Sequence, residues 1–344
     1  RLYPTGPRIR YALINSRDQM LLRRAGASDS ESFLLGNQVT APKVQRAPNA
    51  EITIFYPVRG IRRKNLGEIT LLAACAKRSG IDAKFAVALI ADSPDQQGFH
   101  RGWERFAEHH DLPIQFNVVG RTPPAPGADA SFEAWMAACT HVASTSIAEG
   151  FGMSFLEPGL LRIPLLGRDI PDITCDFGAG LDGSLYQQIE FALDAPFRTL
   201  IKDELTEKLA DQFLSYQAPL PSSAISNLID ETETWDFGNL PEFLQETLIE
   251  SYLKHEIELY PGNNTHRQPL EQWLNQALQH TPSEATPQAI HQKFGESAYQ
   301  SRLFHLYDTL LATPSQKPDS LSEPHFLNHQ AVLHQYLTPH RFNF

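Results

Sequence analysis

Two glutamates with seven residues between them, Glu149 and Glu157, bracket the stretch from Ser144 to Pro158, which runs Ser-Thr-Ser-Ile-Ala-Glu-Gly-Phe-Gly-Met-Ser-Phe-Leu-Glu-Pro. The stretch follows an apolar run, crosses Gly150 and Gly152, and enters a pattern that predicts a helix from Met153. Backbone N–H groups at such a helix start face whatever lies over the loop, which makes an anion site. Glu149 falls before the helix and Glu157 about one turn into it. Carboxylates repel phosphate but accept hydrogen bonds from sugar hydroxyls, so donors for a diphosphate beside two acids for hydroxyls describe a nucleotide-sugar site better than a bare nucleotide site. The alternative is structural, with both acids simply favouring a helix N-terminus. Upstream, Arg59 and Lys64 lie five apart within Phe-Tyr-Pro-Val-Arg-Gly-Ile-Arg-Arg-Lys-Asn, residues 55–65. Fixed cations there would stabilise a diphosphate leaving group, each worth a few kcal/mol in a dry, preorganised site. Arg62 and Arg63 alongside also allow a plainer reading, a solvated basic loop.

The spacing Glu-Gly-Phe-Gly-x-x-x-x-Glu-Pro resembles the donor motif of retaining GT-B glycosyltransferases, the group 1, family 4-like class related to glycogen synthases and bacterial mannosyltransferases. The 55–65 block is similar to the strand, loop and basic pair that open the donor domain in that family. The resemblance is strongest from about residue 50 to 195 and implies the C-terminal, donor-binding half of such an enzyme. By that resemblance Arg59 and Lys64 hold the diphosphate, Glu149 holds hydroxyls of the transferred hexose, and Glu157 holds the ribose. Gly150, Phe151, Gly152, Met153 and Leu156 then offer backbone contacts, the glycines allowing close approach. The implied reaction is transfer of a hexose from a nucleoside diphosphate sugar to an acceptor hydroxyl with retention. No metal or other cofactor is implied, because the two cations stand where a divalent ion would. The alternatives are a non-catalytic nucleotide-sugar-binding module and a GT-B-like sugar epimerase, although acid and base groups for epimerisation are not evident.

These residues need a scaffold. At 344 residues, 42% hydrophobic and 20% charged, the chain has room for about two domains. No run approaches the roughly 18 apolar residues of a membrane span, and no signal peptide opens it. Cys75, Cys139 and Cys175 lie in apolar stretches without metal-ligand spacing and read as reduced core thiols of a cytoplasmic protein. The net charge of −11 is uneven, with the first third basic and the remainder strongly acidic. The cations are dispersed and lack interleaved aromatics, which argues against nucleic acid and for a basic pocket around a small anion. The 13 histidines show no zinc-helix spacing.

Along the chain, residues 9–16, 17–25 and 33–37 predict strand, helix and strand, too little to bury a sheet. In the resembled family this is the tail of the N-terminal acceptor domain, so residues 1–48 are expected to be that tail plus a linker, with the rest of the acceptor domain missing and turnover by this chain poor. From residue 49 to 195, strands and helices alternate: strands at 52–56, 85–90, 114–119, 141–144 and 164–166, helices at 65–78, 102–110, 132–139 and 153–161. Asp92 to Asp95 reads as a loop. This alternation predicts an α/β fold, a doubly wound parallel sheet of the Rossmann-like GT-B donor type, with ligands at the carboxyl ends of the strands. Gly120-Arg121 and the stretch Gly167 to Asp172, with Arg168, fall near those ends and are candidates for the base and for the sugar end respectively, against the plainer reading of surface turns. From 196 to 344 the pattern is mostly helical, over 203–213, 240–254, 270–278 and 287–311. A polar linker at 312–324 and a last helix within 326–344 follow.

Overall fold

The computed structural model describes residues 3–6, 8–192, 194–215, 233–263, 266–313 and 326–328. At its centre is a six-stranded, wholly parallel sheet built from β3 (Ile52–Gly60), β4 (Ala83–Ile90), β5 (Ile114–Gln115), β6 (His141–Ser144), β7 (Leu165–Arg168) and β8 (Gly183–Tyr186). Their spatial order is β5-β4-β3-β6-β7-β8. The chain therefore starts in the middle, steps to one edge, returns and steps to the other, which is the doubly wound order. The direction reverses between β3 and β6, and a crevice must open outside their carboxyl ends.

Alternation along each strand feeds two cores. Ile54, Tyr56, Phe85, Val87 and Ala143 point to one face, where α2 (Leu66–Ser79) and α3 (Pro94–His109) pack. Phe55, Ala86, Ala88 and Val142 point to the other, shared with α4 (Phe132–Ala138) and α5 (Met153–Leu160). The strand β3 is longer than the sequence pattern suggests, and its register with β4 shifts between Tyr56 and Arg59. Pro57 sits inside that shift. A proline cannot donate to the ladder, so a bulge is where a central strand tolerates one, and here it re-aims the strand end that carries Arg59.

Several expectations change. The helix expected from residue 102 begins at Pro94, with Ser93 as its N-cap accepting from Gln96 N, so Asp92 to Asp95 starts a helix rather than forming a loop. Cys175 is exposed, while Cys75 and Cys139 are buried.

The N-terminal segment forms a small unit of β1 (Tyr11–Leu13), α1 (Ser16–Arg24) and β2 (Ser32–Leu34), with the two strands parallel. After β8 come β9 (Gln188–Ala192) and the helix α7 (Ala195–Ser215), where only residues 203–213 were expected to be helical. The expected helices further on are α8 (Glu242–Leu253) and α9 (Leu270–Ala277). A small antiparallel sheet not foreseen in the sequence joins them: β9 pairs with β10 (Thr234–Asp236) and with β11 (Tyr260–Asn263), which pairs with β12 (His266–Arg267). Leu244, Leu248, Ile249 and Tyr252 of α8 complete the core over α2. The helix expected over 287–311 is two, α10 (Thr286–Phe294) and α11 (Glu296–Ala312), because Gly295 takes an extended conformation between them. The short α6 (Pro171–Thr174) lies between β7 and β8. The linker at 312–324 and the last helix fall outside the described residues, apart from 312–313 and 326–328.

Arg168, a candidate for the sugar end, is instead a buried structural hub. Its guanidinium donates to both oxygens of Glu68, at 2.6 to 3.1 Å, and to both oxygens of Asp236 at 2.8 Å, joining α2, β7 and β10. Tyr186 Oη adds a bond to Glu68 at 2.7 Å. Removing one partner of such a buried group strands the others, at about 3–5 kcal/mol. Arg168→Met is expected to lower the unfolding free energy by about that amount in urea titration.

Candidate functional site

The crevice outside β3 and β6 is a cleft of about 490 Å³. Pro57 to Lys64 line one wall, Glu149 to Ser154 the other, and Glu157 stands behind the second. Arg59, Lys64, Glu149, Gly150, Phe151, Gly152, Met153 and Glu157, singled out in the sequence, thus meet in one place. Leu156 does not line it. Its side chain is fully buried in the core under the helix. Arg121 is not among the lining residues either.

The two walls are sewn together. Ile147 N donates to Arg63 O at 3.0 Å, Tyr56 Oη to Lys64 O at 2.8 Å, and Thr145 Oγ1 to Lys64 O and Asn65 O at 3.2 and 3.1 Å. Tyr56 Oη also meets Ser146 Oγ at 2.9 Å. Across this seam the Glu149 carboxylate pairs with the Lys64 ammonium and with Arg63 Nη1, the latter at 2.8 Å. Arg63 also donates to Ala148 O at 3.0 Å. It is a site residue the sequence did not single out, since one more cation in a run of three carries no spacing signal.

Each charge has its own setting. Burial alone would raise the Glu149 carboxyl; Lys64, Ser146 and Arg63 outweigh it and hold the carboxyl below the ordinary range. Burial pushes the Lys64 ammonium below its usual value, against the pull of Glu149. Arg59 is half-exposed and paired with an exposed Asp92. A pair of that kind contributes about 0–1 kcal/mol, so Arg59 is released at little cost. Glu157 differs from all of these. It is partly buried, has no hydrogen-bond or ionic partner among the described residues, and is pushed above the ordinary carboxylate range by burial.

The second wall is shaped by Gly152, the N-cap of α5 at φ 85°. A Cβ there would lie 2.8 Å from Phe155 Cδ2, and the left-handed backbone disfavours any side chain. In the first turn of α5, Phe155 N donates to Gly152 O at 3.0 Å, and Met153 N and Ser154 N have no acceptor among the described residues, as expected at a helix start. The Phe151 ring is buried edge-on between Phe177 and Phe294, with centroids at 5.7 and 5.5 Å, so its backbone is the part offered to the cleft. Asn15 Nδ2 holds Gly150 O at 2.6 Å while Asn15 Oδ1 caps α1, which ties the N-terminal unit to the loop. Among the described residues no three His, Cys, Asp or Glu side chains gather as a metal set. No described helix is long and apolar enough to cross a membrane.

No family model matches the sequence. The mannosylglucosyl-3-phosphoglycerate synthase of Petrotoga mobilis is 23% identical over 332 residues, taking in 90% of this chain and 62% of that protein. The chain thus spans about three-fifths of the length of the curated relative it matches. Among solved structures, sucrose-phosphate synthase of Thermosynechococcus elongatus aligns over 88% of this chain and 58% of its own, with TM-score 0.47 and 14% identity. TarM of S. aureus aligns over 86% and 43%, with TM-score 0.44 and 13% identity.

Gly152→Ala is expected to destabilise the fold by about 1–2 kcal/mol from the left-handed backbone alone, read as a lower denaturation midpoint. The Glu149 carboxyl titrates lower folded than unfolded, so its contribution is present above the unfolded value and is lost as pH falls through the folded one. The stability gap between wild type and Glu149→Gln should therefore be full at neutral pH and close in acid.

Proposed function

We propose that this chain is the donor-binding half of a retaining GT-B glycosyltransferase, transferring a hexose from a nucleoside diphosphate sugar to an acceptor hydroxyl. The observation that carries the reading is Glu157: a partly buried carboxylate without a partner among the described residues, lining the same cleft as the start of α5, Lys64 and Arg59. A carboxylate kept from water without a cation calls for hydroxyl donors. A diphosphate on the amides and cations, with its ribose on Glu157, supplies them.

The remaining roles follow from position. Glu149 has lone pairs beyond those that Lys64 and Arg63 occupy, and these accept from the hexose hydroxyls. As the bond from the anomeric carbon to the diphosphate oxygen breaks, negative charge grows on the leaving group. Lys64 is already fixed there, and Arg59 joins it by leaving Asp92. The acceptor oxygen bonds to the anomeric carbon on the same face, and its proton passes to the departing diphosphate. No metal ion enters this scheme. The relative's name, a synthase of a mannosylglucosyl phosphoglycerate, agrees with a hexosyl donor.

Calorimetric titration with UDP, GDP and ADP, then with their glucose and mannose conjugates, tests the reading; saturable binding to one base is expected, and binding to none would end it. Glu157→Ala is expected to weaken the free diphosphate and the sugar nucleotide alike, and Glu149→Ala the sugar nucleotide more; equal losses for both ligands in both variants would contradict the roles. Because burial raises Glu157, nucleotide affinity should decline as pH falls at a higher pH than for an ordinary glutamate. Binding should release a proton there, and Glu157→Gln should abolish that release.

A further inference from the structure

Lys64 is followed by Asn65, a left-handed residue at φ 50° that links the turn Arg62–Lys64 to α2. Asparagine is among the few side chains that tolerate this conformation. Here it is also buried, and its amide is engaged at both ends: Nδ2 donates to Glu68 Oε2 at 2.8 Å, and Oδ1 accepts from Gln245 Nε2 at 3.0 Å. Gln245 comes from α8, 180 residues away, and is buried. Its Nε2 donates to Phe237 O as well, at 3.1 Å, so both amide hydrogens have carbonyl acceptors. Asp236, next to Phe237, holds Arg168, and Arg168 holds Glu68. The contacts close into a ring of polar groups: Asn65, Gln245, Phe237, Asp236, Arg168 and Glu68.

Gly67 makes room for this ring. A Cβ at that position would lie 2.0 Å from Gln245 Oε1 and 2.6 Å from Trp103 Cζ2. The backbone of the turn has no slack on the cleft side either, since Thr145 and Tyr56 occupy the carbonyls of Lys64 and Asn65.

We propose that Gln245 is a positioning residue for the anion-binding turn: it fixes Asn65, and through Asn65 the placement of Lys64 in the cleft. Of the segment from Thr234 to Leu253, Asp236, Phe237 and Gln245 then act on the site, while its apolar side chains, Leu248 among them, serve as a cover over α2. The proposal rests on the donor-site reading for its consequence in binding, but not for its structural content.

Gln245→Met keeps the length of the side chain and removes both donors. Amide exchange in the peptide spanning 61–66 should then quicken about tenfold, the scale of one lost buried hydrogen bond. Affinity for whichever of UDP, GDP and ADP binds should fall about five- to tenfold, while that of the free nucleoside holds. Leu248→Ala, a core truncation on the same helix, should lower the melting temperature and move neither readout. In an Asn65→Gly background, where the left-handed backbone is still allowed, adding Gln245→Met should cause no further loss. Gln245→Ala serves the same comparison if the methionine variant does not fold. Unchanged exchange at 61–66 in the Gln245 variant, or an equal change in Leu248→Ala, would overturn the proposal. If wild type binds none of the three diphosphates the donor reading fails, and the exchange comparison alone decides the role of Gln245.

Discussion

A lysine ammonium removed from water needs an anion of its own, and in this molecule that anion is Glu149. Lys64 is nearly buried and Glu149 more so. Neither tolerates that setting alone. Their pairing therefore requires the loop after β3 and the loop after β6 to lie against each other, and the sheet order supplies this by placing those two strands side by side at its reversal point. The seam of Tyr56, Thr145, Ser146 and Ile147 follows from the same demand, because two loops pressed together must satisfy each other's carbonyls and amides.

That arrangement gives the cleft charges of graded availability. Lys64 and Arg63 are committed to Glu149, so any anion entering the cleft would meet cations already in place. Arg59 is held only by an exposed ion pair and can be recruited. Glu157 is held by nothing among the described residues. The carboxyl set by burial alone titrates high, and the one set by cations titrates low. Two acids seven residues apart are thereby given different chemistry by their surroundings.

What could be read in the sequence was local. The Glu149 to Glu157 stretch sits where strand, glycines and helix start must place it, and the strand-helix alternation predicted the parallel sheet with its cleft edge. Arg168 was misread because a cation between glycine and aspartate near a strand end looks the same whether it faces solvent or a buried pair of acids. The acids that decide the matter, Glu68 and Asp236, are 100 and 68 residues away. Asn65 and Gln245 were invisible as a pair for the same reason. The start of α3 had its signals in view, a serine cap and a proline at the first turn. Asp-Ser-Pro-Asp has the composition of a loop as well as of a helix start, so the signals do not decide between them. Gly295 gives no break signal in the sequence, because one glycine within a long helical pattern is usually tolerated.

The uneven charge along the chain has a structural origin in this light. Cations of the basic first third meet acids that come later: Arg62 with Glu242 at 2.9 Å, Arg63 with Glu149 at 2.8 Å, and Arg78 with Glu258 and Glu271 at 2.6 and 3.2 Å. The exposed members of this set add little stability singly. Their common direction matters more, because each links α2 or the turn before it to an element added later in the chain. They are paired with acids of the same molecule, Arg78 in a buried setting and Arg62 and Arg63 half-exposed, and Arg59, Arg63 and Lys64 line the cleft.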